Sequence, residues 1–213
     1  LESDTLNTKD GEGFEALAAL KNGSADIIVG TRVAAGALRG AKITLCAVLD
    51  AELELSSSDY RATEKFTRLL FELRGHVSGT KNGRLIIQTA DTTAYDYAPL
   101  FAADYKDAAE TETALRESFN YPPFVHLFKM TLKAKDAGLL NHETQRLKKL
   151  ATALSLEILG PVWCAKKTDT LKKQYLLFKT DEKRRADLLA LLDSFEPAKK
   201  VIGKLTVDPY DFF

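Results

Sequence analysis

Two adjacent prolines, Pro122 and Pro123, constrain this chain more than any other feature, because no helix can run through them. Upstream, Leu100, Phe101, Tyr105, Ala108, Ala109 and Leu115 fall broadly on one side of a helix predicted over 97–120. Tyr121-Pro122-Pro123-Phe124 ends that helix, and the hydrophobic pattern differs on its two sides. The reading is therefore a first domain over 1–96, a connecting helix and junction over 97–122, and a second domain over 123–213. A length of 213 residues is enough for two modest cores. The chain opens on Leu1 and its one methionine is Met130, so a fragment or a processed product is expected.

Residues 1–95 alternate helix and strand. A helix is predicted over 11–20, from Phe14, Leu17, Ala18 and Leu20, and a short apolar strand follows the Asn22-Gly23 break and ends at Gly30-Thr31. Next come a Gly/Ala-rich loop from Ala34 to Ala41, a buried strand from Ile43 to Leu49, and an acidic strand end at Asp50-Ala51-Glu52. Tyr60 to Arg74 reads as a helix, preceded by the cap-like Ser56-Ser57-Ser58-Asp59 with Asp59 as the acceptor, and Arg84 to Thr89 reads as a strand. Near-continuous apolar strands separated by helices predict an α/β unit with a parallel sheet. After the prolines the order is strand (Val125–Ala134), helix (Leu139–Leu154), paired strands around Gly160-Pro161 and Gln174–Thr180, helix (Asp181–Leu192) and strand (Val201–Val207). That is the split βαβ arrangement of a two-layer α+β domain.

The formal charge is +0 overall, but Lys129 to Arg185 holds 14 Lys/Arg against 6 Asp/Glu, a local basic field suited to a polyanion. Within it, Lys166, Lys167, Lys172 and Lys173 are the candidate phosphate contacts. Tyr175 and Phe178 would point to opposite faces of a strand, and both are expected in the core. Cys46 and Cys164 read as buried thiols of a cytoplasmic protein, and no apolar run is long enough to span a membrane. The apolar strand ending at Asp50 and Glu52 resembles a magnesium-holding strand of P-loop ATPases, but no phosphate-binding loop accompanies it, so it reads as a strand end. His76, His126 and His142 have no metal-ligand spacing.

Several stretches, in order, resemble the PriA family of replication-restart DNA helicases. They are Asp26-Ile27-Ile28-Val29-Gly30-Thr31-Arg32, Ile43 to Glu52 with Asp59 to Glu64, Arg84 to Thr89, Leu115 to Phe124, Leu159-Gly160-Pro161 and Val207-Asp208-Pro209. The resemblance implies the second half of a RecA-like helicase lobe, then a C-terminal domain like a small ribosomal-subunit protein. It also implies ATP and magnesium for the full-length family, with two zinc ions held by cysteines upstream of Leu1. Implied partners are single-stranded or forked DNA, the acidic tail of the single-strand-binding protein, and primosome proteins. The family's tail-binding basic residues lie near Lys183, Arg184 and Arg185, which open a helix here.

Two departures bear on activity. After Gly-Thr the family continues Gln-Met-x-x-Lys-Gly-His-Asp-Phe, whereas this chain reads Arg32 to Gly40 without that lysine and aspartate. The family then places Gln-x-x-Gly-Arg-x-Gly-Arg at the end of the next helix, and here His76 and Gly79 replace both arginines. An arginine on the transferring phosphate is worth roughly 10³–10⁵ in rate, which a neutral imidazole and a glycine do not supply. The expected function is thus a restart protein that binds DNA and partners without motor activity. The alternatives are an active 3′-5′ helicase whose arginines come from elsewhere, Arg74 among them, and a protein–protein adaptor without DNA affinity.

Overall fold

The computed structural model describes residues 18–209 other than 21, 39, 58 and 165–169. The helix expected over 11–20 lies outside the described residues except at 18–20, which are helical, and Lys166 and Lys167 lie wholly outside them. The chain divides into two compact units, one of Leu1–Ser57 with Arg61–Glu112, the other of Ser58–Tyr60 with Thr113–Phe213.

In the first unit the described elements are α1 (Arg32–Ala37), β1 (Leu45–Val48), α2 (Ala51–Leu55), α3 (Ala62–Ser78), β2 (Arg84–Ile87), α4 (Ala98–Ala102) and the first part of α5 (Tyr105–Ser118). Helix α3 forms because Phe66, Leu69, Leu70, Leu73 and Val77 recur at three- and four-residue spacing, giving one buried stripe. That stripe covers the face of a two-stranded parallel sheet in which Cys46 pairs with Leu85 and Val48 with Ile87. The parallel pairing matches the expectation, but the burial does not. Leu45 is 53% exposed and Ile86 51%, so only one face of the sheet is covered.

Other local readings are corrected here. Of the Gly/Ala-rich loop expected over Ala34 to Ala41, the part up to Ala37 belongs to α1, since alanine has the highest helix propensity and Ala35 is buried. The strand expected before Gly30 reduces to an isolated bridge at Val29, with Ile27 and Val29 exposed. Helix α3 begins at Ala62 with Arg61 in the cap position and no side-chain cap bond, while Asp59 is itself buried. The single helix expected over 97–120 is two helices, because Ala103 adopts a left-handed conformation (φ 61°) and the Asp104 amide turns back to the Pro99 carbonyl at 2.9 Å. No residue of α5 is buried; Leu115 is exposed, and Tyr105, also largely exposed, sets its ring edge-on to Phe71 at 5.1 Å.

The second unit follows the predicted order: β3 (His126–Ala134), α6 (Ala137–Ala153), β4 (Glu157–Cys164), β5 (Lys172–Thr180), α7 (Glu182–Ser194) and β6 (Ile202–Val207). The sheet is antiparallel throughout, in the order β4-β5-β3-β6. Asp136 caps α6 by accepting from the Leu139 amide at 2.6 Å, and Asp181 caps α7 through the Arg184 amide at 2.9 Å. Phe128, Met130, Leu132, Leu176 and Phe178 point from the sheet toward Leu140 and Leu147 of α6 and Leu188 of α7. Strand β4 carries a bulge between Leu159 and Val162. Gly160 is required there, since its φ is 102° and a Cβ would lie 2.9 Å from the Tyr175 carbonyl oxygen. Both cysteines are free thiols; Cys46 is buried as expected, but Cys164, on the edge strand, is only half-buried.

Candidate functional sites

In the first unit, the two strands are joined at their ends by one carboxylate. Glu52 Oε1 accepts from the Thr89 hydroxyl, from the Ala90 amide at 2.7 Å and from the Asp91 amide at 3.1 Å. The Thr89 hydroxyl leads these donors in holding the Glu52 carboxyl down at about 2. A depressed acid stabilises the fold at pH above its ordinary value of about 4.3 and loses that contribution as pH falls toward 2. Hydrogen exchange at the Ala90 and Asp91 amides is therefore expected to accelerate across that window, and Glu52→Gln to exchange fast already at pH 6. Equal protection in the two proteins at pH 6 would rule the clamp out. The position read from sequence as a strand end is thus a fastener between β1 and the segment after β2.

His76 and Gly79 sit at the last turn of α3. His76 Nε2 donates to the Ala35 carbonyl at 2.9 Å, tying α3 to α1. Gly79 is the exposed C-cap, and a Cβ there would meet nothing within 4 Å. Arg32, where the family's loop has glutamine, is paired with Glu54 at 3.4 Å. Unlike His76, the other two histidines have carboxylate neighbours: His126 Nε2 is 2.7 Å from Glu182 and His142 Nδ1 is 3.2 Å from Glu143. Among the described residues, no group of three or more His, Cys, Asp and Glu could hold a metal ion, and no helix is long and apolar enough to cross a membrane.

At the start of α7, Lys183 and Arg184 are exposed and Arg185 is half-buried. Arg184 Nη1 donates to the Ser155 carbonyl at 2.5 Å, and Arg185 Nη1 lies 3.5 Å from Glu182. Asp181 already accepts from the first-turn amide of Arg184. The chain's own carboxylates therefore occupy much of what the sequence offered as an anion site. Lys179 is engaged more fully. Its Nζ donates to the Phe119 carbonyl at 3.0 Å and lies 4.0 Å from the centre of the Tyr121 ring, which in turn stacks on Tyr60 at 5.2 Å.

The cross-strand register sorts the remaining cations. Lys172 lies opposite Ala134, in a row that faces the helices, and Lys173 lies opposite Lys133 on the other face, so the two neighbours point apart. Beside a fourth row, Glu157-Lys179-Leu127, three rows of that helix-free face carry these cations. They are Leu159-Leu177-Lys129-Thr206, then Val162-Tyr175-Thr131-Lys204, then Cys164-Lys173-Lys133-Ile202. Four lysines thus surround Thr131 and Tyr175, and Lys129 Nζ is 5.2 Å from the centre of the Tyr175 ring. Tyr175 is 4% exposed and Phe178 0%, so both are core residues on opposite faces, as read. Lys129, Lys133 and Lys204 were missed from sequence, although the even spacing of Lys129 and Lys133 on one strand was a signal for a shared face.

Comparison with known proteins follows this division. Residues 117–210 match the family described as Primosomal protein N C-terminal domain. Replication restart protein PriA of Bacillus subtilis (strain 168) is 28% identical over 222 residues, covering 99% of this chain and 27% of that protein. Replication restart protein PriA of Chlamydia muridarum is 30% identical over 230 residues, covering 100% of this chain and 29% of that protein. The PriA of Thermotoga maritima is 27% identical over 186 residues, covering 86% of this chain and 24% of that protein. The chain spans less than a third of the length of these curated relatives. The chain belongs to the PriA family, and its residues 117–210 carry that family's C-terminal domain.

Proposed function

We propose that this chain serves DNA replication restart, binding single-stranded or forked DNA and primosome partners while lacking motor activity. In this reading the first unit corresponds to part of a RecA-like lobe and the second to a domain like a small ribosomal-subunit protein. ATP, magnesium and two zinc ions are then the business of the rest of a PriA-type protein.

The observation that carries the loss of the motor is the end of α3. There the ring of His76 is spent on the Ala35 carbonyl and Gly79 offers no side chain, so neither position can place a cation on a transferring phosphate. DNA binding is supported by the basic second unit, with Lys172 and Lys173 as candidate phosphate contacts among the described residues and Lys166 and Lys167 near them in sequence. For an acidic partner tail, Lys183 is the most available of the three cations that open α7, with Arg184 and Arg185 following once they release Ser155 and Glu182.

The test compares the natural protein carrying this sequence with its His76→Arg, Gly79→Arg variant in single-stranded-DNA-stimulated ATP hydrolysis and in forked-DNA binding. No stimulated hydrolysis in the natural protein, with forked-DNA binding intact, is expected. Stimulated turnover there would instead favour an active helicase. Absent or salt-insensitive DNA binding would favour a protein–protein adaptor.

A further inference from the structure

We propose that the groove between β6 and α7 is a docking site for an extended segment of a partner protein, which joins the four-stranded sheet as a fifth strand beside β6. The segment carries an apolar side chain for the groove and a basic one for Asp193. This goes beyond the reading above, which places partner contacts on the cations that open α7, and it does not depend on DNA binding.

Strand β6 has an open edge. It pairs with β3 on one side and with no strand on the other. Along an antiparallel strand, successive residues turn their backbone groups to alternate sides. The Asp208 amide donates to the Leu127 carbonyl at 2.8 Å, so Asp208 turns toward β3, and Thr206 and Lys204 turn with it. Gly203, Leu205 and Val207 therefore hold their amides and carbonyls outward, where no strand meets them among the described residues. Their side chains stand in the rows of Leu132, Met130 and Phe128, on the face that the helices cover.

That side of β6 is hollow at one end. A groove of about 590 Å³, within the size range of ligand pockets, has the buried Met130 and Phe195 at its floor. Leu189 and Asp193 of α7 form one wall and Gly203 and Leu205 of β6 the other. Leu189 is 36% exposed and Leu205 37%, and no residue of β6 belongs to the buried core. Gly203 makes the hollow. A Cβ there would meet only side-chain atoms, of Leu132, Pro197 and Met130, at 3.6, 3.7 and 3.8 Å, all ordinary contacts. The backbone does not demand a glycine at this position, and a glycine inside a strand commonly marks the close approach of another backbone or a ligand.

Shape and charge select the occupant. An open strand edge is matched by an extended backbone, and a groove between edge strand and helix receives its alternate side chains. The sheet is antiparallel throughout, and a segment added in the same sense faces the groove at the residues opposite Val207, Leu205 and Gly203, spaced about 7 Å apart. Opposite Gly203, a leucine-sized side chain fills the hollow. Asp193 is exposed, is the one charged residue lining the groove and forms no ion pair among the described residues, so a lysine or arginine beyond that leucine completes the fit. A second copy of this chain fits less well. In a two-fold pairing centred on Leu205, its groove-side residues are again Gly203, Leu205 and Val207, and both Lys204 side chains fall on the other face. The β6 strand of a second copy thus brings no cation to Asp193.

The experiment titrates the whole chain into a fluorescein-labelled peptide, Val-Thr-Val-Thr-Leu-Thr-Lys with an amidated end, and follows its anisotropy. Saturable binding is expected. Methylating the backbone nitrogens of the second valine and the leucine, which face β6, should weaken it about 10-fold, the effect of two ladder hydrogen bonds. A probe ending in glutamate should bind about 2- to 5-fold more weakly than the lysine probe, the range of an exposed ion pair, and Asp193→Lys should reverse that order. Gly203→Val should bind about 10-fold more weakly because it fills the hollow, with a thermal midpoint no lower than the parent's, since valine suits a strand better than glycine. Should Gly203→Val melt early, Asp193→Lys, at an exposed helix position, carries the test. Hydrogen exchange at Gly203, Leu205 and Val207 should slow when the peptide binds, while Lys204 and Thr206 stay as they were. No saturable binding of the lysine probe, parent-like binding in Gly203→Val, or an unreversed order in Asp193→Lys would each overturn the proposal. So would outward amides already protected in the free chain: protection at every concentration means that the chain covers its own edge, and protection rising with concentration means that a second copy does. None of these outcomes touches the DNA-binding or motor readings, which the hydrolysis and forked-DNA assays decide.

Discussion

Phe178→Ala is expected to destabilise the second unit by about 3–5 kcal/mol, the largest effect of any single change considered. The side chain is fully buried on β5, an inner strand with neighbours on both sides, and lies opposite Phe128 on β3 and Ile158 on β4. It faces the layer of α6 and α7, where Leu147 and Leu188 are equally buried. Removing the ring forfeits its transfer free energy, and a sheet clamped on both edges closes only partly over the void. Urea unfolding of the whole chain, followed by far-ultraviolet circular dichroism, measures the change in the transition that reports the antiparallel sheet. A loss below about 1 kcal/mol would show that this layer is not the core.

The next largest effect is expected at Glu143, a buried carboxylate on the inner side of α6. Arg146 Nη2 donates to it at 2.7 Å and the Ala198 amide at 3.2 Å, while the same guanidinium reaches the Glu196 carbonyl at 2.6 Å and covers the Phe195 ring at 4.4 Å. One acid thereby fixes the return of the chain from α7 into β6. Glu143→Ala leaves the Ala198 amide without its acceptor and releases Arg146, which is itself partly exposed, so the loss is about 2–3 kcal/mol rather than that of a wholly buried pair. Burial alone would raise the Glu143 carboxyl, but the bonds from Arg146, Ala198 and His142 outweigh it and hold it below its ordinary range. Its contribution is therefore complete above an unfolded value of about 4.3 and declines as pH falls below that. Denaturation midpoints of the wild-type chain should drop between pH 6 and pH 3 by more than those of Glu143→Gln. Parallel pH profiles would remove the acid from this role.

The second unit was legible because each of its elements carries its own period. Strand alternation in β3 and β5, aspartates at the start of α6 and α7, and Gly160-Pro161 all agree with one topology. The first unit was harder because its decisive facts are not periodic. In Arg32 to Ala37 the helix propensity of alanine competes with Gly36, and burial of Ala35 against the α3 stripe decides for the helix. The break at Ala103 depends on a backbone turned left-handed at a residue that ordinarily favours helix. The continuous apolar strand at 43–49 implied cover on both faces, whereas Leu45 and Leu49 remain exposed.

The same contrast holds at the candidate sites. The replacement of two arginines by His76 and Gly79 was visible in sequence, but the bond from His76 to Ala35, across 41 positions, was not. A run of lysines in sequence suggested one cluster around the hairpin. Register splits Lys172 from Lys173 and recruits Lys133 and Lys204 from strands far away along the chain. Charge composition thus located the domain that carries the cations, and only the pairing of strands showed which of them share a surface.

The bulge in β4 has a consequence for how this protein behaves when crowded. Both outer strands of the sheet, β4 and β6, could in principle recruit a foreign strand. On β4 the kink at Gly160 and the missing amide hydrogen of Pro161 spoil the template, while β6 runs straight from Ile202 to Val207 without either obstacle. A sheet with one open edge and one blunted edge can pair with another of its kind only once. Adventitious stacking of these sheets would stop at closed pairs, with no free end from which a fibre could grow.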